Sequence, residues 1–107
     1  KIKQISPTEL TMLVNRKDAT VLDIRSDADF RKGHITGARN ITASQIQAAG
    51  LPGLENQKDN PIIVVCQAGM SAQGVADSLN KQGFSQVFVL QGGMNSWTGA
   101  NLPLVKK

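Results

Sequence analysis

One cysteine, one histidine, one tryptophan and no tyrosine occur among the 107 residues of this chain. A single thiol rules out an internal disulfide and any CxxC motif. It also leaves little for a metal, because Cys66 and His34 stand far apart in sequence and zinc prefers four closely arranged ligands. Neither a metal nor another cofactor is expected. Aromatics make up 4% of the chain, and Phe30, Phe84, Phe88 and Trp97 lie in apolar contexts. The net charge of +4 comes from lysines and arginines scattered between Lys1 and Lys107. Without a basic stripe interleaved with aromatics, nucleic-acid binding is disfavoured. No apolar stretch approaches the roughly 18 residues needed to span a membrane. Internal repeats, low-complexity tracts and heptads are absent too.

What remains is an ordinary globular composition, 40% hydrophobic and 19% charged. The length suits one domain, residues 1–107, with one core. Lys1 is not a methionine, so the sequence reads as a trimmed segment of a longer precursor, with any leader or anchor lying outside it.

Local signals give an alternating order of strands and helices. A short β-prone piece at residues 2–5 leads into Ser6-Pro7-Thr8-Glu9, a capping-box pattern with proline at the first helical position. A helix over residues 7–15 follows, with Leu10, Leu13 and Val14 at core spacing. Residues 21–24 read as a buried strand. Ser26 caps a short acidic helix closed by Gly33. HITGARNI, residues 34–41, reads as a turn plus a short strand, followed by a helix in TASQIQAAG with Ser44 as its candidate cap. Loop signals crowd LPGLENQKDNP. Residues 62–65 form a continuous apolar run, the mark of a strand buried on both faces. A helix over residues 72–82, a strand over 87–90, and a Gly92-Gly93 turn into a short helix carrying Trp97 complete the order. Parallel neighbours need crossovers, and the helices supply them, so the alternation predicts an α/β fold with a parallel sheet covered on both faces.

Cys66 closes the strand at residues 62–65, at the carboxyl edge where open α/β sheets gather reactive groups. A thiol reacts as its thiolate, and an unperturbed pKa near ~8.5 leaves only a few per cent ionised at neutral pH. Unpaired N–H groups and the helix dipole at the start of the next helix favour the anion. Gln67, Ala68, Gly69, Met70 and Ser71 have the build of such a cradle: Ala68, Gly69 and Ser71 are small, and Gly69 permits an unusual backbone conformation. The alternative is a cysteine that serves only as a small buried hydrophobe. A structural cysteine has no need of a flexible small-residue turn, which favours chemistry.

The stretch VLDIRSDADFRKGHITGARNI resembles the first signature of the rhodanese-like domain family, with its aspartate-hydrophobic-arginine strand end, acidic-aromatic pair and glycine-histidine-isoleucine turn. IIVVCQAGMSAQGVADSLNKQGFSQVFVLQGGMNSW is similar to the family's active-site strand, cysteine loop, helix and closing glycine-glycine and tryptophan motif. The two stretches follow in family order over nearly the whole chain. The resemblance implies a three-layer α/β/α fold with a five-stranded parallel sheet, whose strands fall near residues 2–5, 21–24, 38–41, 62–65 and 87–90. It also implies sulfurtransferase activity. Cys66 would take the outer sulfur of a small-molecule donor such as thiosulfate, keep it as a persulfide, and pass it to cyanide, a thiol or a partner protein. Residues Gln67 to Ser71 would hold the persulfide through backbone N–H groups, with the Ser71 hydroxyl as an extra donor.

The loop departs from many family members in lacking arginine or lysine. Thiosulfate is a dianion, so the departure points to thiosulfate as a surrogate and to a protein or small-molecule persulfide as the natural donor. Met70 suits either contact with an acceptor or simple packing. Upstream, Asp23 reads as a strand-end group accepting backbone hydrogen bonds. Arg25 and Asp29 are placed to pair across the Ser26 turn. His34 reads as a hydrogen-bonded structural histidine rather than a base. By the resemblance these four residues support the fold near the site, and none is assigned as acid or base.

Two rival functions share this fold. Phosphatases of the cell-division-cycle type place five residues between the cysteine and an arginine that binds phosphate bidentately. The equivalent position here is Ala72, and no arginine follows Arg39, so phosphatase chemistry is disfavoured. The second rival is a regulatory or docking module with little turnover, and the presence of Cys66 argues for catalysis without excluding docking. A persulfide carrier with a single cysteine suits the reducing cytoplasm. Tethering to a membrane by a segment outside this sequence, and a periplasmic setting, remain compatible with it.

Overall fold

The computed structural model describes residues 2–17, 19–49, 59–67, 70–102, 104 and 105. The small-residue cradle expected at Ala68 and Gly69, and residues 51–58 of the loop expected over 51–61, lie outside the described residues.

Five strands and five helices alternate along the described residues: β1 (Lys3–Ile5), α1 (Pro7–Lys17), β2 (Thr20–Asp23), α2 (Asp27–Lys32), β3 (Arg39–Asn40), α3 (Ala43–Ala49), β4 (Ile62–Val65), α4 (Met70–Lys81), β5 (Val87–Leu90) and α5 (Gly93–Gly99). The sheet order is β1-β5-β4-β2-β3, and every pairing is parallel. This is the five-stranded parallel α/β architecture that the alternation and the family resemblance predict. No helix among the described residues is long and apolar enough to cross a membrane.

The layers follow from the two-residue period of strand side chains. Ile62, Val64 and Cys66 point into one core cluster with Ile46 of α3 and Ala72, Val75, Ala76 and Leu79 of α4. Ile63 and Val65 point into the other, with Leu10 of α1 and Met94 and Trp97 of α5. All four residues of β4 are buried, because the central strand has helices on both sides. That double burial explains why its sequence is a continuous apolar run rather than an alternating one.

Helix starts obey capping chemistry. At α1 the Ser6 N–H donates to Glu9 Oε1 at 3.0 Å, and the Glu9 N–H donates to Ser6 Oγ at 3.2 Å, the reciprocal box read from the sequence. The Asp29 N–H donates to Ser26 Oγ at 3.2 Å, which fixes the start of α2. At α3 the cap is Thr42, not Ser44. The Gln45 N–H donates to Thr42 Oγ1 at 3.3 Å, and the Thr42 N–H donates to Gln45 Oε1 at 2.8 Å. Thr-x-x-Gln is itself a capping box, and it outcompetes the neighbouring serine, which lies inside the helix. Helix α4 begins at Met70, two residues before the expected start.

Candidate active site

Strand β2 leads outward to β3 on one side, and β4 leads outward to β5 on the other. The chain therefore leaves the carboxyl ends of β2 and β4 in opposite directions, which opens a crevice between them. The segment 24–25 follows β2 into that crevice, and the segment 66–67 follows β4.

The two segments stay in register briefly past the strands. The Ile24 N–H donates to Val65 O at 2.9 Å, which continues the pairing of Asp23 with Val65. Side chains go on alternating, so Ile24 and Cys66 share the α3/α4 face, while Asp23, Arg25 and Gln67 lie toward α5. The thiol and the polar groups beside it thus occupy opposite faces of one sheet edge.

On the polar face, the Asp23 carboxylate is 1% exposed and the Arg25 side chain 8%. The guanidinium lies across the carboxylate, with Nε donating at 3.0 and 3.1 Å and Nη2 at 2.8 Å. The Arg25 N–H also donates to Asp23 Oδ1 at 3.0 Å. Nη2 reaches Gly33 O at 2.7 Å, tying the end of α2 to the sheet. Nη1 makes a long contact of 3.5 Å to Gln67 Oε1. Two hydrogen bonds from Asn40 Nδ2, to Asp23 O at 3.1 Å and Arg25 O at 2.9 Å, pin the same segment from β3. The expected ion pair between Arg25 and Asp29 does not form. Asp29 sits exposed on α2, whereas the extended backbone brings side chains at i and i+2 together.

Cys66 itself is 6% exposed and packs in the cluster with Ile24, Ile46, Ala72 and Val75. Ala72 belongs to the first turn of α4, so the thiol's residue and the start of that helix share one packing environment. Backbone bonds hold the segment from the α5 side: the Met94 N–H donates to Cys66 O at 2.8 Å, and the Asn95 N–H to Gln67 O at 3.0 Å. Gln67 Nε2 donates to Asn95 Oδ1 at 2.7 Å. Of the remaining loop residues, Met70 opens α4 and Ser71 is its exposed second residue. No group of three or more His, Cys, Asp or Glu side chains able to hold a metal converges among the described residues.

His34 is buried at 5% and stacks on Phe30, centroids 3.7 Å apart and planes 9° off parallel. Its Nδ1 lies 2.8 Å from Phe30 O. A carbonyl can only accept, so this nitrogen carries the proton and donates. The residue read as part of a turn instead forms an antiparallel bridge with Val105, through bonds of 2.9 and 2.8 Å. None of these contacts reaches the cysteine segment. A pocket of about 230 Å³ opens beside Arg25, Asp29, Lys32, Gln67 and Met94. A larger apolar one, about 300 Å³, lies between α1 and α5 against Leu10, Val14, Ile35 and Trp97, away from the thiol. The sequence alone singles out neither Asn40 nor Asn95. Asn40 stands in Ala38-Arg39-Asn40-Ile41, the alanine-x-asparagine-isoleucine stretch to which the glycine-histidine-isoleucine turn of the family resemblance leads.

An all-parallel five-stranded sheet with a cysteine closing its central strand, backed by a buried aspartate–arginine pair, defines a class, and the chain belongs to the rhodanese-like domain family, whose model matches residues 6–100. Among known proteins it is 50% identical to the uncharacterized protein YibN of Escherichia coli strain K12, over 99% of this chain and 74% of that protein. It is 36% identical to the thiosulfate sulfurtransferase GlpE of Pseudoalteromonas translucida, over 92% of this chain and 90% of that one. In fold it is similar to the solution structure of the rhodanese-like domain of the Alr3790 protein from Anabaena. The TM-score is 0.85 at 23% identity, covering 100% of this chain and 81% of that one.

Proposed function

We propose that this protein is a sulfurtransferase that carries a sulfane sulfur on Cys66. The Cys66 thiolate attacks the outer sulfur of thiosulfate or another persulfide donor. A new S–S bond forms as the donor's S–S bond breaks, and sulfite or a thiolate leaves with the electron pair. A thiophilic acceptor, either cyanide or a thiol on a small molecule or partner protein, then attacks the outer sulfur and returns Cys66 to its thiolate. The persulfide loop is Gln67, Ala68, Gly69, Met70 and Ser71. Asp23 supports it from the end of β2 and Arg25 from the segment that follows, with Asp29 and His34 further back. Little proton transfer is needed, because the leaving group departs as an anion.

The observation that carries this reading is the position of Cys66, at the carboxyl end of the central strand and four residues before α4. A thiolate placed just ahead of a helix would be favoured by the N–H groups of the first turn and by the positive end of the helix dipole. A relative at 36% identity bears the name thiosulfate sulfurtransferase. The reading places the protein in a reducing compartment such as the cytoplasm, where a lone thiol stays unoxidised.

Steady-state kinetics with thiosulfate and cyanide test the proposal. Two half-reactions at one residue give ping-pong behaviour, with parallel double-reciprocal lines. Lines that intersect would instead require both substrates to be bound together. A second reading, a docking or regulatory unit with little turnover, draws on the 6% exposure of Cys66. It gains ground if neither thiosulfate nor any small persulfide supports turnover above that of Cys66→Ala.

A further inference from the structure

The carbonyls of Cys66 and Gln67 point the same way, each to a first-turn N–H of α5, at 2.8 and 3.0 Å. None of the described peptide bonds is cis, and in a trans peptide the carbonyl and the N–H that follows it point in opposite directions. The Met94 bond to Cys66 O therefore turns the Gln67 N–H away from α5, toward the face on which the Cys66 side chain packs. Pulling the carbonyl to one face aims the donor at the other.

We propose that the first turn of α5 is the positioning element of the cysteine loop, and that Asn95 is the positioning residue within it. Asn95 holds Gln67 twice, by its N–H to Gln67 O and by its Oδ1, which accepts from Gln67 Nε2 at 2.7 Å. Gln67 also meets Arg25, so the residue that leaves β4 is clamped between the β2 ion pair and α5. The clamp is rigid because α5 is seated in the core by Met94, 2% exposed, and Trp97, 4% exposed. Gly92 lets the chain enter that turn, with φ 76°, a left-handed conformation that L side chains rarely adopt. The glycine-glycine turn is thus the hinge from which the anchoring amides are delivered. Asn95 touches no reacting atom; it acts through Gln67.

The role in loading sulfur rests on the sulfurtransferase reading. The test is a double-mutant cycle of Asn95→Ala and Gln67→Ala, both at exposed positions, read in two ways. One is the pH profile of Cys66 alkylation by iodoacetamide, and the other is the single-turnover rate of sulfur loading from thiosulfate. Asn95→Ala is expected to move the alkylation midpoint upward. It should slow loading roughly two- to tenfold, the span of one ordinary hydrogen bond, with the thermal midpoint nearly unchanged. In the Gln67→Ala background it should add nothing further. A wild-type alkylation profile for Asn95→Ala, or an equal effect in both backgrounds, would overturn the assignment. If the wild type accepts no sulfur from any donor, the functional reading fails alone, because the alkylation profile still decides whether Asn95 sets the loop.

Discussion

Asp23 and Arg25, two positions apart on an extended segment, form a forked ion pair in which the shortest contact is 2.8 Å and the carboxylate is 1% exposed. The pair does local work. It closes the crevice on the β2 side, ties the end of α2 through Gly33 O, and gives Gln67 a polar neighbour beside the cysteine.

Arg25→Leu is expected to destabilise the protein by about 3–5 kcal/mol, because it leaves a buried carboxylate unpaired. The double variant Asp23→Asn with Arg25→Leu should recover part of that loss, since no buried charge remains. Urea unfolding of the two variants and the wild type checks both statements. An Arg25→Leu protein as stable as wild type would show that water reaches the carboxylate.

Gly92 and Ser96 are matched in size. A Cβ on Gly92 would sit 2.8 Å from Ser96 Cβ, and φ there is +76°. Gly92→Ala should therefore lower stability through both the clash and the left-handed backbone, by about 1 kcal/mol or more. Adding Ser96→Gly should relieve only the clash. A double variant that gains nothing once the helix cost of Ser96→Gly alone is subtracted would show that backbone strain is the whole effect.

The start of α3 offers a discriminating pair. Thr42→Ala removes the side-chain oxygen that accepts from the Gln45 N–H, with an expected loss of about 1 kcal/mol. Ser44→Ala, inside the helix, should be neutral or slightly stabilising. Thermal melts of the two variants separate the two candidate caps.

Where a sequence signal was local, it was legible. The apolar run at 62–65 reports β4 because burial on both faces removes any need for polar alternation, and Ser6 with Glu9 report α1 because the box closes within one turn. Arg25 and Asp29 look placed to pair across the Ser26 turn, yet the chain stays extended through Ile24 and the partner of Arg25 is Asp23. Ser44 looks like a cap by its hydroxyl alone, but hydroxyl type does not identify a cap without a reciprocal partner, and Gln45 supplies one to Thr42. Of the site, the position of Cys66 at a strand end was readable. Its clamp was not, since Gln67 and Asn95 are 28 positions apart and meet only once β4 and β5 are paired.

Cys66→Ser changes one atom at a small buried site. It should keep the wild-type circular dichroism spectrum and a cooperative melt while losing all sulfur transfer. A variant that fails to fold would point to a thiol kept for packing.

The most direct test is the mass of the intact protein after incubation with thiosulfate and removal of the excess donor. The wild type should gain one sulfur atom and lose it on adding cyanide, while Cys66→Ala gains none. A wild-type mass that stays unchanged after thiosulfate and after small-molecule persulfides, or an added sulfur that persists in Cys66→Ala, would contradict a persulfide carried on this cysteine.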